Sequence, residues 1–158
     1  MGGHEMAKFE VRLDCRQALR LHGLWARSND KSVARDIPRL TARYHQITGT
    51  GADTALPFFI LSRNFEEKTR DFELFVGSIT ENAKLEPLLL PEGQYGRIAV
   101  APKLGFLWGP AIGGAKRWFY TKWLPGSGFQ AVNLEYEYHT EKSLGKSPEI
   151  ELFFAIRR

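Results

Sequence analysis

The sequence predicts an α+β fold: an eight-stranded antiparallel sheet made of two pseudo-twofold-related strand-helix-strand repeats, with two helices on one face and a cleft between them. Three observations predict it. One order of elements occurs twice along the 158 residues. Short segments match between the halves: Phe72-Glu-Leu-Phe-Val-Gly77 resembles Ile150-Glu-Leu-Phe-Phe-Ala155, and Cys15-Arg-Gln-Ala-Leu-Arg20 resembles Glu92-Gly-Gln-Tyr-Gly-Arg97. The landmarks also keep a near-constant spacing: 78 residues from Glu73 to Glu151, 77 from Gln17 to Gln94, and 72 from Pro38 to Pro110.

The elements follow in order. Phe9 to Leu13 and Ala18 to Ala26 alternate apolar residues in the period of two that suits strands. Asp36 is placed to cap a helix with Pro38 in its first turn. Ile37, Leu40, Tyr44 and Ile47 then recur at helical spacing, and residues 49–52 end the helix in a turn. Residues 58–61 and 72–79 read as strands. In the second half, residues 88–90 and 94–101 read as strands, and Pro110 opens a helix that reaches about Trp123 and stops at Leu124-Pro125-Gly126. Residues 131–139 and 150–156 are the last two strands. Residues 1–7 are expected to be an expression remnant or a disordered N-terminus, with Met6 as the natural start. Residues 8–158 are expected to form one domain, with repeat one at about 8–80 and repeat two at about 85–157.

Two such repeats can pair their free strand edges into one sheet while both helices cover the same face. A seam between helices is a natural ligand site.

Composition narrows the function. Hydrophobic residues make up 43% and charged residues 25%, which fits a folded domain. The net charge of +4 comes from lysines and arginines spread along the chain, and this favours a mixed solvated surface over a nucleic-acid footprint. Cys15 is the only cysteine, so no internal disulfide forms and a reducing, cytoplasmic setting is expected. No apolar run approaches the length of a membrane span, and no signal peptide is evident.

Several chemical motifs fail on inspection. In Gly109-Pro-Ala-Ile-Gly-Gly-Ala-Lys116, Ala115 separates glycine from lysine and no Ser or Thr follows, so it is not a phosphate loop. Gly49-Thr-Gly51 lacks the third glycine of a dinucleotide loop. His4, His22, His45 and His139 lack metal spacing, and Gly126-Ser-Gly128 reads as a helix stop. No metal and no cofactor is expected.

The candidate site residues are acids and rings. Glu73 and Glu151 stand at equivalent places inside apolar strands. Alternation puts Glu151 with Phe153 and Ala155, and opposite Ile150, Leu152 and Phe154. If that second set faces the core, Glu151 points to water. If Glu151 lies at the seam instead, it is poorly hydrated and favours an organic cation, which aromatic faces help to hold. Trp118, Phe119, Tyr120 and Trp123 supply rings on the second helix. Tyr136 and Tyr138 supply them on the next strand, with Glu135 and Glu137 on its other face, and Trp25 and Tyr44 serve the first half.

The sequence resembles the GyrI-like effector-binding family, found as the ligand domain of AraC-type and MerR-type drug-responsive regulators and in stand-alone gyrase-inhibitory proteins. The resemblance rests on Asp36-Ile-Pro38 with Leu40 and Tyr44, on residues 90–95 (Leu-Pro-Glu-Gly-Gln-Tyr), on residues 123–129 (Trp-Leu-Pro-Gly-Ser-Gly-Phe), and on Glu137-Tyr138 followed by Ile150-Glu151-Leu152. It spans Phe9 to Ile156. It implies an internal pseudo-twofold and a cleft for lipophilic, often cationic, compounds with an acid at its base. Glu151 matches the family's last-strand glutamate, and Trp123 and Tyr138 match its aromatics. Ala155 stands where the family usually has proline, and Gly113 and Gly114 replace better helix formers.

The expected function is therefore a stand-alone small-molecule binder, either effector-sensing or toxin-buffering. Its expected ligand-binding residues are Glu151, Trp123, Tyr138, Tyr120, Glu73, Phe153, Trp25 and Tyr44. No helix-turn-helix is seen, so direct DNA binding is not expected. Two alternatives stand beside this reading. One is a hydrolase of strained electrophiles, with Glu151 or Glu137 positioning water and Tyr138 or Tyr120 donating a proton. The other is a module acting on DNA gyrase, a regulator or another macromolecule.

Overall fold

Two-residue links decide the shape of this molecule. The computed structural model describes residues 9–158; the expectations about residues 1–7 and about Met6 lie outside them. Eight strands form one antiparallel sheet: β1 (Arg12–Arg16), β2 (Leu19–Asn29), β3 (Phe58–Arg63), β4 (Asp71–Ser78), β5 (Glu86–Leu90), β6 (Gly93–Val100), β7 (Gln130–His139) and β8 (Ile150–Arg157). Helix α1 (Val33–Thr48) joins β2 to β3, and α2 (Trp108–Trp118) joins β6 to β7. The sheet order is β1-β6-β8-β7-β3-β4-β2-β5. Each repeat thus lends its first strand to the other: β1 pairs with β6, and β5 pairs with β2.

A flat sheet of eight strands would be about 33 Å wide at ~4.8 Å per strand. Gln17-Ala18 joins β1, at one edge, to β2, next to the other edge. Such a link reaches at most about 11 Å. Pro91-Glu92 makes the mirror connection from β5 to β6. Both edges must therefore approach, and the sheet curls into a half-barrel.

Curling gives the sheet two buried faces. The inner face holds Leu21, Phe59, Leu61, Phe75, Leu88, Leu90, Tyr95, Tyr136, Phe153 and Ala155, without any helix residue. The outer face carries both helices. α1 lays Leu40, Tyr44 and Ile47 over Leu24, Phe58, Ile60 and Val76. α2 and the wide turn after it cover Ile98, Val100, Ile150, Leu152, Phe154 and Ile156.

Strand register tests the internal matches. Glu73 pairs with Arg27, and Glu151 pairs with Ala99, so the partner strands are offset by 72 residues, as the helix prolines are. The glutamines do not share this frame. Gln17 lies in the β1–β2 link, whereas Gln94 lies in β6 opposite Cys15. Their match is a short polar coincidence.

Helix α1 starts earlier than Asp36 suggests. Ser32 is the N-cap residue, and Asp36 sits within the first turn, where its carboxylate accepts hydrogen bonds from the hydroxyls of Ser32 at 2.7 Å and Ser28 at 2.8 Å. These donors, Ser32 foremost, hold the Asp36 carboxyl below the usual range. Pro38 is consequently inside the helix and not in its first turn. Gly49, at φ 71°, closes the helix, its N–H donating to the His45 carbonyl at 2.8 Å. In the second half, Pro110 lies in the first turn of α2, and residues 119–126 unwind through a wide turn and a 3₁₀ turn. Among the described residues, no helix is long and apolar enough to cross a membrane.

The buried tyrosines make a testable alkaline limit. Burial pushes the Tyr95 hydroxyl up to about 12, and it raises Tyr136, Tyr120 and Tyr44 as well. An unfolded tyrosine ionises near about 10. Between these values the unfolded chain loses protons that the folded chain keeps, so stability falls as pH rises from about 10 to about 12. A titration following tyrosinate absorbance should show ionisation coupled to cooperative unfolding in that window. Gradual ionisation of a chain that stays folded would contradict it.

Candidate functional site

The phase of β7 decides which of its acids face the helices. A bulge between Ala131 and Glu135 resets its alternation, with Asn133 at φ 57° and its side chain bonded to both backbone groups of Phe65. From there Leu134, Tyr136 and Tyr138 face inward, and Glu135, Glu137 and His139 face the helices.

Glu137 occupies the seam between the repeats. Across the sheet it is flanked by Ile60 on β3 and Leu152 on β8. Ile60 packs with the α1 cluster and Leu152 belongs to the α2 cluster, so this carboxylate sits where the two helix-covered cores meet. It is the buried carboxylate among the described residues, 8% exposed. The His139 ring Nε2 lies 3.0 Å from its Oε1, and no lysine or arginine of the described residues lies within 4 Å.

Glu135, one pleat along, is held differently. The Lys116 Nζ lies 2.6 Å from its Oε2, and the Tyr120 hydroxyl donates to its Oε1 at 2.6 Å. Burial alone would pull the Lys116 ammonium down, but Glu135 and Glu137 outweigh it and raise the group above its ordinary value. Tyr120 is driven up by burial and by the Glu135 charge, so it stays a neutral donor. The charges of Glu135, Glu137 and Lys116 sum to one negative charge, with the His139 ring beside Glu137. A buried carboxylate costs several kcal/mol unless a partner compensates it, and the His139 ring is the partner that Glu137 has.

The eight residues expected from sequence separate onto two faces. Glu151 and Glu73 lie on the inner face, not between the helices. Glu151 is 28% exposed with Arg97 Nε at 3.4 Å, and Glu73 is 42% exposed with Arg63 Nε at 2.7 Å. The Arg63 hydrogen bond holds the Glu73 carboxyl below its usual range. Each therefore has an arginine counter-ion and contact with water. Tyr138 stands opposite Glu151 in register. Phe153 is core, stacked on Tyr136 at 4.8 Å with the Arg16 guanidinium over it at 4.9 Å. Trp25 leans on Phe75 on the same face, under Arg63. Trp123 stacks with Phe119 and Phe129 beneath the end of α2, and Tyr44 is buried under α1. Only Tyr120 joins the seam.

Beside Glu151 a pocket of about 480 Å³ opens at the strand ends. Leu56, Pro57, Tyr138 and Ile150 give it apolar walls. Glu141, Glu149 and Glu151 outnumber Lys142 on its lining, so it too is acidic.

The sequence put Glu135 and Glu137 on the strand face opposite Tyr136 and Tyr138, as in the structure, and offered Glu137 only as an alternative water-positioning base. The available signal was a Glu-Tyr-Glu-Tyr alternation in a strand with covered faces on both sides.

No family model matches the chain, and no curated protein matches it by sequence. Solved structures match it in fold. SAV2435 bound to tetraphenylphosphonium superposes with a TM-score of 0.70 at 12% identity, covering 94% of each chain. The EcmrR C-terminal domain gives 0.64 at 14% identity, covering 95% of this chain and 98% of its own. An integron cassette protein from the mobile metagenome of Vibrio cholerae gives 0.65 at 11%, covering 94% and 99%. Identities this low carry the fold and nothing further.

Proposed function

We propose that this chain, whose fold is the GyrI-like effector-binding fold, captures a lipophilic aromatic cation at the seam between its helices, with Glu137 as the counter-charge. The observation that carries the reading is a carboxylate 8% exposed between two apolar clusters, with an imidazole as its partner. A hydrated metal ion would bring its water shell into that apolar surround, whereas a bulky organic cation brings charge and apolar surface together. The likeness in fold to a protein bound to tetraphenylphosphonium supports the same ligand chemistry.

Calorimetric titration with tetraphenylphosphonium tests it. Glu137→Gln is expected to weaken binding about 10–100-fold, which is about 1.4–2.8 kcal/mol. Glu151→Gln should leave the affinity within about threefold. The pocket at Tyr138 and Glu151 is the second candidate, favoured by its volume and acidic lining. A large loss in Glu151→Gln with none in Glu137→Gln would move the site there. No measurable binding by the unaltered protein would end the cation reading.

A further inference from the structure

Lys116 reaches from α2 into the acid pair from the helix side. Its ammonium is 2.6 Å from Glu135, and the side chain that carries it is about one-third exposed, so the ion pair is not sealed from solvent. Glu135 and Glu137 lie two residues apart on one strand face, within about 7 Å. A single organic cation brings this set to neutrality, and a dication overshoots it. From this geometry we infer that Lys116 is a tethered competitor that makes the seam selective for singly charged cations over doubly charged ones. The inference rests on the seam reading given above and adds a residue that sets the charge class of the ligand.

The experiment compares tetraphenylphosphonium with 1,5-bis(triphenylphosphonio)pentane by calorimetry at about pH 8, where an ordinary imidazole is neutral. In Lys116→Met both cations should bind more tightly, with the dication gaining about tenfold more than the monocation because its second charge is attracted as well. Lys116→Arg keeps the charge and should keep the original preference. Glu135→Gln supplies an independent arm. With Lys116 retained, it should weaken both cations and penalise the dication more, even if Lys116→Met folds poorly.

An unchanged ratio of the two affinities in both Lys116→Met and Glu135→Gln would overturn the role of Lys116. If the original protein binds tetraphenylphosphonium and Glu137→Gln abolishes it, the seam reading survives that failure. If the original protein binds neither cation, the seam reading itself fails.

Discussion

Phe154→Ala is expected to lower the free energy of unfolding by about 3–5 kcal/mol. Phe154 sits on the helix side of β8 and is 1% exposed. The Phe119 ring stacks on it at 3.9 Å and 8°, and Tyr120 meets it edge-on at 5.5 Å. Its strand neighbour on β6 is Gly96, where an added side-chain carbon would meet Phe119, so Phe119 fills the hollow that this glycine leaves. Removing the Phe154 ring would empty a space closed by three rigid neighbours, and little of it could collapse. Urea unfolding should show a lower midpoint with an unchanged slope. A loss below about 1 kcal/mol would mean that α2 settles onto the sheet and that the stack is not a fixed support for the seam.

Gly23→Ala is expected to be comparably damaging, about 3 kcal/mol or more, for the opposite reason. Gly23 on β2 faces Gly77 on β4 directly. A side-chain carbon on Gly23 would run into the Val76 carbonyl, and into Gly77 Cα at 2.8 Å. One on Gly77 would meet Gly23 Cα at 2.9 Å. These obstacles are backbone atoms held by strands on both sides, so rotating a side chain cannot relieve them. A thermal melt of Gly23→Ala should show a large fall or no folded baseline, whereas a melt like that of the unaltered protein would show that β2 and β4 can separate locally.

The order of elements was legible because each is written in local periodicity. Helix residues at Leu40, Tyr44 and Ile47, the stop at residues 124–126, and the alternation along β4 and β8 all depend on neighbours close in sequence. The duplication was legible for the same reason, since Glu73 and Glu151 carry the same strand context. The glutamine match failed because six residues of polar similarity contain no information about register, which is decided by strands far apart in the chain.

The start of α1 was missed because Asp36 could satisfy a cap from sequence alone. Only the folded chain shows that hydroxyls of Ser28 and Ser32 already engage its carboxylate.

The surroundings of each acid were not legible from alternation. An alternating strand declares that two faces exist, and when one of them is polar it also declares which is inside. Here the short links Gln17-Ala18 and Pro91-Glu92 force the sheet to curl, so Phe153 and Phe154 are both buried and alternation no longer ranks the faces. The sequence by itself determined the repeat, the strand-helix order and the supply of acids and rings. The tertiary structure alone decided that Glu151 meets Arg97 and water while Glu137 lies dry between the helix clusters. The cause is physical: which face of a strand is desolvated depends on what the distant strands and helices place over it.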